Sequence, residues 1–103
     1  MPQYKFTGQA EGDLDAIVEY TLENWGQSQA AKYIDGLEAL LENLTHAPSL
    51  GLNQDTVFKD LLSFPYAIHV VYYVETADGI TVIRILHKRT DTKRHISVTQ
   101  KMQ

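Results

Sequence analysis

The sequence predicts an α+β fold: an N-terminal strand and an antiparallel two-helix hairpin packed on a three- to four-stranded antiparallel sheet. The first half of the chain carries two apolar stripes with the α-helical period. In the second half, the pair Asp78-Gly79 separates two runs rich in Val, Ile and Tyr, which is typical of a tight β-hairpin. Because neither helix can bury its stripe alone, we expect the helical hairpin to cover one face of the sheet.

A short strand and a first helix are predicted at the N-terminus. Residues 4–6 alternate apolar and polar side chains, and Thr7 or Gly8 can begin a helix. The apolar stripe of this helix consists of Leu14, Ile17, Val18, Thr21, Leu22 and Trp25. Gly26 can end the helix, since glycine readily adopts the left-handed conformation found there. We expect Trp25 to lie in the core, with the floor of a partner-binding groove as the alternative.

A second helix is predicted to follow after a short link. Ser28 can cap it, and Pro48 ends it because proline cannot continue the helical hydrogen bonds. Its apolar positions keep the same period and are Tyr33, Ile34, Leu37, Leu40, Leu41 and Leu44. Since the link between the helices is short, we expect them to run antiparallel.

The remaining elements are predicted to be antiparallel strands. Residues 57–62 and 66–75 are strand candidates, and residues 80–87 pair with the second of them across the Asp-Gly turn. Strict alternation along this last strand divides its side chains between the two faces: Ile83, Ile85 and His87 on one, and Val82, Arg84, Leu86 and Lys88 on the other. The C-terminal residues 90–103 are expected to bury little and to matter more for function than for folding.

The composition is that of one ordinary globular domain spanning residues 1–103. The chain is 44% hydrophobic and 21% charged, and none of its apolar runs is long enough for a membrane span. It contains no cysteine, which excludes disulfides, thiolate zinc sites and thiol catalysis. With no apolar segment resembling a secretory signal at its start, we expect a cytoplasmic protein without a membrane partner.

Charge is distributed unevenly along the chain. The net charge of −4 argues against a general nucleic-acid-binding protein, and we expect no direct sequence-specific nucleic acid binding. Residues 1–83 carry three basic and twelve acidic side chains, whereas residues 84–103 carry six basic side chains and one acidic. The residues of interest at this basic end are Arg84, His87, Lys88, Arg89, Lys93, Arg94 and His95. Such groups can hold anionic partners or serve in acid–base catalysis, and a solvated terminal strand is the plain alternative.

Recognisable catalytic and cofactor motifs are absent from the sequence. The four histidines lack the spacing of a metal site, and no glycine-rich phosphate-binding loop or G-x-S-x-G nucleophile motif occurs. His69 could join the basic end from a neighbouring strand, or it could be a packed sheet residue with satisfied ring nitrogens. We therefore expect no metal and no cofactor.

Several segments along most of the chain carry a family resemblance through their order and spacing. They are Ala16-Ile17-Val18-Glu19-Tyr20, Asn24-Trp25-Gly26, Ala31-Lys32-Tyr33-Ile34-Asp35-Gly36-Leu37-Glu38, His46-Ala47-Pro48 with Gly51, Val71-Tyr72-Tyr73, and Arg84-Ile85-Leu86-His87-Lys88-Arg89-Thr90-Asp91. By these segments the chain resembles the ParE/RelE superfamily of toxins from bacterial toxin–antitoxin modules, and its ParE branch in particular.

The resemblance implies a small α+β toxin held inactive by a cognate antitoxin, whose partly disordered segment wraps it in a hetero-oligomer. ParE-type members poison DNA gyrase and so block replication, whereas RelE-type members cleave messenger RNA in the ribosome. The strand lysines of the RNA-cleaving branch align with Asp60 and Leu62, which cannot stabilise a developing phosphate charge. An RNA-cleaving member would have to rely on His69, Arg89 and His95.

We therefore expect a gyrase-binding toxin without catalytic activity of its own. The residues expected to contact the target are Arg84, His87, Lys88, Arg89, Lys93 and Arg94. An amphipathic helix of the antitoxin would fit an apolar stripe beside a basic edge. The candidate contacts are Tyr33, Leu37, Leu40, Leu41, Arg84 and Arg89, and for most of the four apolar residues a place in the core is the favoured alternative. Two alternatives are an endoribonuclease that acts on the ribosome and a non-toxic relative that only binds antitoxin.

Overall fold

The helices and strands form in the predicted order in the computed structural model, which describes residues 3–91 and Ile96. Within these residues two α-helices cover one face of a five-stranded sheet with the strand order β1-β5-β4-β3-β2. The elements are β1 (Gln3–Phe6), α1 (Gly8–Trp25), α2 (Gln27–His46), a 3-10 turn (Pro48–Leu50), β2 (Leu52–Asn53), β3 (Leu62–Tyr66), β4 (His69–Thr76) and β5 (Gly79–His87). The α+β prediction is confirmed. Neither helix in the described part of the chain is long and apolar enough to cross a membrane.

The sheet is wider than predicted and is not wholly antiparallel. β1 pairs with β5 in parallel, with Gln3 opposite Gly79, and the two-residue β2 pairs with the start of β3. A Cβ atom at Gly79, whose φ is 152°, would collide with the backbone of Gln3, so glycine is required where β1 approaches β5. A parallel pair needs a long connection, and here the chain passes through both helices and β2, β3 and β4 between β1 and β5.

A turn replaces the strand predicted at residues 57–62, and β3 begins only at Leu62. The Asp55 carboxylate accepts the backbone N–H of Asp60 at 2.8 Å, and Asp60 adopts a left-handed conformation with φ 67°. A side chain that bonds to nearby backbone in this way favours a turn over an extended strand. The strand predicted at residues 66–75 is likewise divided, since Ala67 has a φ of 55° in the turn between β3 and β4.

The helix ends follow the predicted signals with one change. Thr7 caps α1, its hydroxyl accepting the backbone N–H of Ala10 at 3.1 Å. Gly26, with φ 89°, ends α1 and also precedes the first residue of α2, so Ser28 is not the cap of the second helix. The expectation that Trp25 lies in the core is wrong, because 70% of its surface is exposed.

A β-bulge in β5 overturns the predicted alternation of its side chains. Tyr72 pairs with Arg84 and Tyr73 pairs with Val82, so Ile83 is an extra residue on β5. After one extra residue, every following side chain changes face. Accordingly Val82 and Ile85 both face the helices, in contrast to the strict alternation expected from the sequence.

The bulge is also where α1 is attached to the sheet. The Asp13 carboxylate accepts two hydrogen bonds from Arg84, at 2.8 Å from Nε and 3.0 Å from Nη2, and a third from the backbone N–H of Ile85 at 3.0 Å. The Thr7 hydroxyl donates to the carbonyl of Ile83 at 2.9 Å. The Ile83 carbonyl and the Ile85 N–H at the bulge are thus hydrogen-bonded to side chains at the start of α1.

Both faces of the sheet are covered. The core under the helices comprises Ala10, Leu37, Leu41, Leu44, Val71, Tyr73, Ile80, Val82 and Ile85. On the opposite face a second cluster comprises Leu61, Tyr72, Leu86 and Ile96. The expectation that residues 90–103 bury little is wrong at Ile96, of which only 1% is exposed.

Replacing Asp13 by alanine should destabilise the fold. The Arg84 and Asp13 side chains are only 14% and 16% exposed, so the change leaves a mostly buried guanidinium without its carboxylate. We expect Asp13→Ala to lower the free energy of unfolding in urea by about 2–4 kcal/mol. Asp15→Ala removes an exposed carboxylate from the same helix and is the matched control. Equal effects of the two substitutions would contradict this role of Asp13.

Truncating the side chain of Ile96 should also destabilise the fold. Ile96→Ala opens a cavity in the second cluster, and we expect a loss of about 2–4 kcal/mol in the free energy of unfolding. Leu50→Ala, which truncates a side chain that is 58% exposed, serves as the control. An Ile96→Ala protein as stable as the parent would show that this residue contributes nothing to the core.

Candidate binding groove

An apolar groove with a volume of about 710 Å³ lies between the helical hairpin and one end of the sheet. One wall of the groove is formed by α1 and the beginning of α2. The other wall is formed by the β3–β4 turn and the adjoining ends of β4 and β5. The residues that line it are Ala16, Ile17, Tyr20, Thr21, Trp25, Gln29, Tyr33, Ala67, Ile68, His69 and His87. We call this surface the groove.

Large apolar side chains at the groove are exposed to solvent. Tyr20 is 62% exposed, Trp25 70% and Ile68 50%. Trp25 continues the stripe that α1 buries, but the last turn of the helix faces the groove and not the sheet. Clustered exposed apolar side chains around a concave surface are typical of a site that another molecule covers. The sequence-based alternative for Trp25, the floor of a partner-binding groove, therefore fits its position.

Two histidines form the polar end of the groove. His69 and His87 are directly opposite each other on β4 and β5, with ring centroids 6.0 Å apart. The Tyr33 hydroxyl is 3.1 Å from Nδ1 of His69, and the backbone N–H of Arg89 donates to Nδ1 of His87 at 3.1 Å. We call His69 and His87 the histidine pair.

Tyr33 is itself held in place by the sheet. The Tyr66 hydroxyl donates to the Tyr33 carbonyl at 2.7 Å, and the two rings meet edge to face with centroids 4.9 Å apart. A Cβ atom at Gly36 would collide with the Tyr66 hydroxyl, so glycine at this position lets the tyrosine reach the α2 backbone. The bond to Tyr33 and the packing of Tyr66 together fix the ring next to His69.

Burial determines the protonation states of His69 and Tyr33 in the groove. It lowers the pKa of His69 below its ordinary value, and the neighbouring His87 lowers it further. Burial raises the pKa of Tyr33, with Tyr66 contributing in the same direction. At neutral pH His69 is therefore a neutral imidazole and Tyr33 keeps its proton, so both take part in the groove as uncharged hydrogen-bonding groups.

The predicted basic end is only partly available to a partner. Arg84 is bonded to Asp13, and its charge is neutralised within the fold. This corrects the expectation that Arg84 contacts the target and the antitoxin. Lys88 and Arg89 are exposed and follow β5 in a turn, which we call the basic turn. The backbone N–H of Lys88 donates to the Ile68 carbonyl at 2.9 Å, which holds this turn beside the groove. Lys93, Arg94 and His95 lie outside the described residues.

The apolar residues predicted to contact an antitoxin lie mostly in the core. Leu37 and Leu41 are 2% and 1% exposed, so the expectation that they present a docking surface is wrong. Leu40 is half-buried against the same core, and Tyr33 alone of the four lines the groove. The exposed residues that the sequence interpretation missed are Tyr20 and Ile68. An aromatic residue outside the stripe of α1 was the available signal for Tyr20.

The described residues do not assemble a metal site. Within residues 3–91 and Ile96, no group of three or more His, Asp or Glu side chains is placed to hold a metal ion. The positions aligned with the catalytic lysines of RNA-cleaving relatives hold the exposed Asp60 in a turn and Leu62 at the start of β3. The groove can therefore supply apolar contacts and hydrogen bonds, with positive charge beside it.

Comparison with proteins of established families shows which family the chain resembles. The model of the family described as "ParE toxin of type II toxin-antitoxin system, parDE" matches residues 4–92. "Toxin ParE1" of Caulobacter vibrioides is 29% identical over 96 residues, covering 93% of this chain and 99% of that protein. "Toxin ParE" of Escherichia coli is 32% identical over 92 residues, covering 88% of this chain and 89% of that protein.

Solved structures show the same fold. A chain from the structure titled "Chromosomal ParDE TA system from P. aeruginosa" superposes with a TM-score of 0.68 at 19% identity. The match covers 84% of this chain and 96% of that chain. With the family model matching nearly the whole described chain, the predicted resemblance to the ParE branch is confirmed. The protein belongs to the ParE family of toxins of type II toxin–antitoxin systems.

Proposed function

We propose that this toxin poisons DNA gyrase by binding it, and that the basic turn forms part of the contact. The observation that supports this most is the position of Lys88 and Arg89, two exposed cations held beside an apolar groove. Cations next to exposed apolar side chains suit binding to a large partner, since charge guides the encounter and apolar contact stabilises the complex. His87 adjoins this surface, and Lys93 and Arg94 would extend it along the chain.

Binding is preferred to RNA cleavage because of the groups that surround the groove. Cleavage of a phosphodiester needs cations placed against the developing charge, as well as an acid and a base. Asp60 and Leu62 supply no such cation, and the mostly buried Arg84 is already paired with Asp13. His69 is neutral and could accept a proton, so the alternative of an endoribonuclease using His69, Arg89 and His95 is kept for direct test.

We further propose that the groove receives an amphipathic segment of the cognate antitoxin. The apolar side of that segment would contact Tyr20, Trp25 and Ile68, and its acidic side would face the basic turn. Because the basic turn is bonded to the β3–β4 turn at the edge of the groove, a segment seated there would also cover Lys88 and Arg89. Neutralisation would then follow from occlusion of the gyrase contact.

Reversing the charge of Arg89 should weaken the effect on gyrase. We expect Arg89→Glu to raise the concentration needed for half-inhibition of DNA supercoiling by about tenfold, since a contact with acidic groups becomes repulsive. Lys32→Glu, which makes a similar charge change at an exposed position on α2, should leave inhibition unchanged. The measurement is supercoiling by purified gyrase with increasing amounts of toxin.

Other outcomes separate the alternatives. Gyrase that remains fully active at a large excess of toxin would refute the proposed target. Cleavage of ribosome-bound message that disappears in His69→Ala would establish the endoribonuclease instead. Unchanged colony growth after induction without antitoxin would identify a non-toxic relative that only binds antitoxin.

Truncating Trp25 should weaken the complex with the antitoxin without unfolding the toxin. Because its side chain is largely exposed in the unbound protein, Trp25→Ala should leave the unfolding midpoint unchanged. We expect the dissociation constant to rise by about thirtyfold, as for an aromatic residue central to an interface. Leu52→Ala, at an exposed apolar residue remote from the groove lining, is the control. Equal affinities of the two variants, measured by calorimetry with the purified antitoxin, would exclude the groove as the docking site.

A further inference from the structure

We propose that the histidine pair is a receptor for one side-chain carboxylate of the antitoxin segment that occupies the groove. This inference rests on the proposed function of the groove and assigns a specific chemistry to its polar end. Both histidines line the groove, and in this proposal each imidazole offers an N–H group from which the carboxylate accepts a hydrogen bond.

The hydrogen bond from Arg89 determines the tautomer of His87. A backbone N–H can only donate, so Nδ1 of His87 must present its lone pair to the amide that lies 3.1 Å away. The proton of the neutral ring is then on Nε2. His87 thus keeps its donor for a group outside its own turn.

The Tyr33 hydroxyl is the corresponding partner of His69. It is 3.1 Å from Nδ1, and burial keeps it protonated by raising its pKa. Because a hydroxyl can donate or accept, this contact fits either tautomer; we take Tyr33 as the donor in the unbound toxin, which puts the ring proton of His69 on Nε2. Tyr66 maintains this arrangement by holding the Tyr33 backbone.

The spacing and surroundings of the pair suit a carboxylate. The ring centroids are 6.0 Å apart on adjacent strands, and both rings line the groove. A carboxylate placed between them can accept one hydrogen bond of about 2.8 Å on each oxygen. A divalent metal does not fit His87, because it would need a lone pair on Nε2, which carries the ring proton.

The charges around the pair favour an anion. Of the titratable groups around the pair, Tyr20 from α1 and Tyr33 from α2 line the groove, and Tyr66 from β3 packs against Tyr33. The exposed Lys88 and Arg89 follow His87 in the basic turn. Among the described residues that line the groove, none is acidic. An entering carboxylate therefore meets hydrogen-bond donors and nearby cations without competition from the toxin's own carboxylates.

Proton uptake on binding distinguishes this site from a purely structural pair. A carboxylate against the rings favours protonation of His69, which burial and His87 disfavour in the unbound toxin. The Tyr33 hydroxyl can turn to accept from a protonated Nδ1 of His69, whereas the Arg89 backbone N–H at Nδ1 of His87 cannot accept, so the proton is taken up by His69. The complex would then bind more protons than its separated components. By linkage, affinity rises as the pH falls through the range in which His69 of the complex becomes protonated.

The test is the affinity of the purified antitoxin at about pH 8 and about pH 6, where imidazoles change protonation. We expect the parent toxin to bind roughly tenfold tighter at the lower pH. His69→Gln keeps a side-chain N–H donor but has no imidazole to protonate, so it should lose most of this pH-dependent rise in affinity. His46→Gln removes an exposed histidine outside the groove lining and should behave as the parent.

Failure of the inference can be told apart from failure of the proposed function. If Trp25→Ala weakens binding but His69→Gln keeps the full pH dependence, the groove binds antitoxin and the carboxylate receptor is refuted. If neither substitution changes affinity, the docking site itself is refuted. As a second measurement, ¹⁵N spectra of the unbound toxin should show the Nε2–H tautomer for both rings, and a proton on Nδ1 of either would overturn the assignment.

Discussion

The hydrogen-bonded ion pair between Asp13 and Arg84 is the interaction on which the placement of the helices depends. Its carboxylate also bonds the backbone of Ile85, so one side chain of α1 binds both the guanidinium and the main chain of β5 at the bulge. The bulge in turn decides which β5 side chains enter the core under the helices. The same contact that orients the helices over the sheet therefore withdraws a cation from the surface.

Attachment at the start of α1 leaves the other end of the hairpin over the end of the sheet. There Trp25, in the last turn of α1, remains exposed and lines the groove. The Tyr66 hydroxyl ties the beginning of α2 to β3 and thereby sets Tyr33 against His69. The position of the groove thus depends on where the helices are attached to the sheet. The strand register sets the positions of its two histidines.

Local patterns predicted much of the fold, and long-range contacts account for what they missed. The helices and the Asp78-Gly79 turn follow from periodicity and turn chemistry that lie within a few neighbouring residues. The bulge at Ile83 depends on Asp13, seventy residues earlier in the chain, and no local pattern signals it. Trp25 shares its stripe with half-buried positions, so its exposure depends on the extent of the sheet and could not be predicted. The sequence singled out His69 as a residue that could join the basic end, but its position opposite His87 depends on the strand register.

Gly26 has a consequence for how a partner can be accommodated. As the single residue between α1 and α2, it leaves the hairpin without a loop, and its backbone bonds to the last turn of α1. With a link of one residue, the two helices have little freedom to move apart around an incoming chain. Induced adjustment must come from the other molecule, which would lose conformational entropy as it folds against a surface whose shape is already set. Selectivity among related antitoxins would then depend on how well each antitoxin segment, as it folds, matches the shape of the groove.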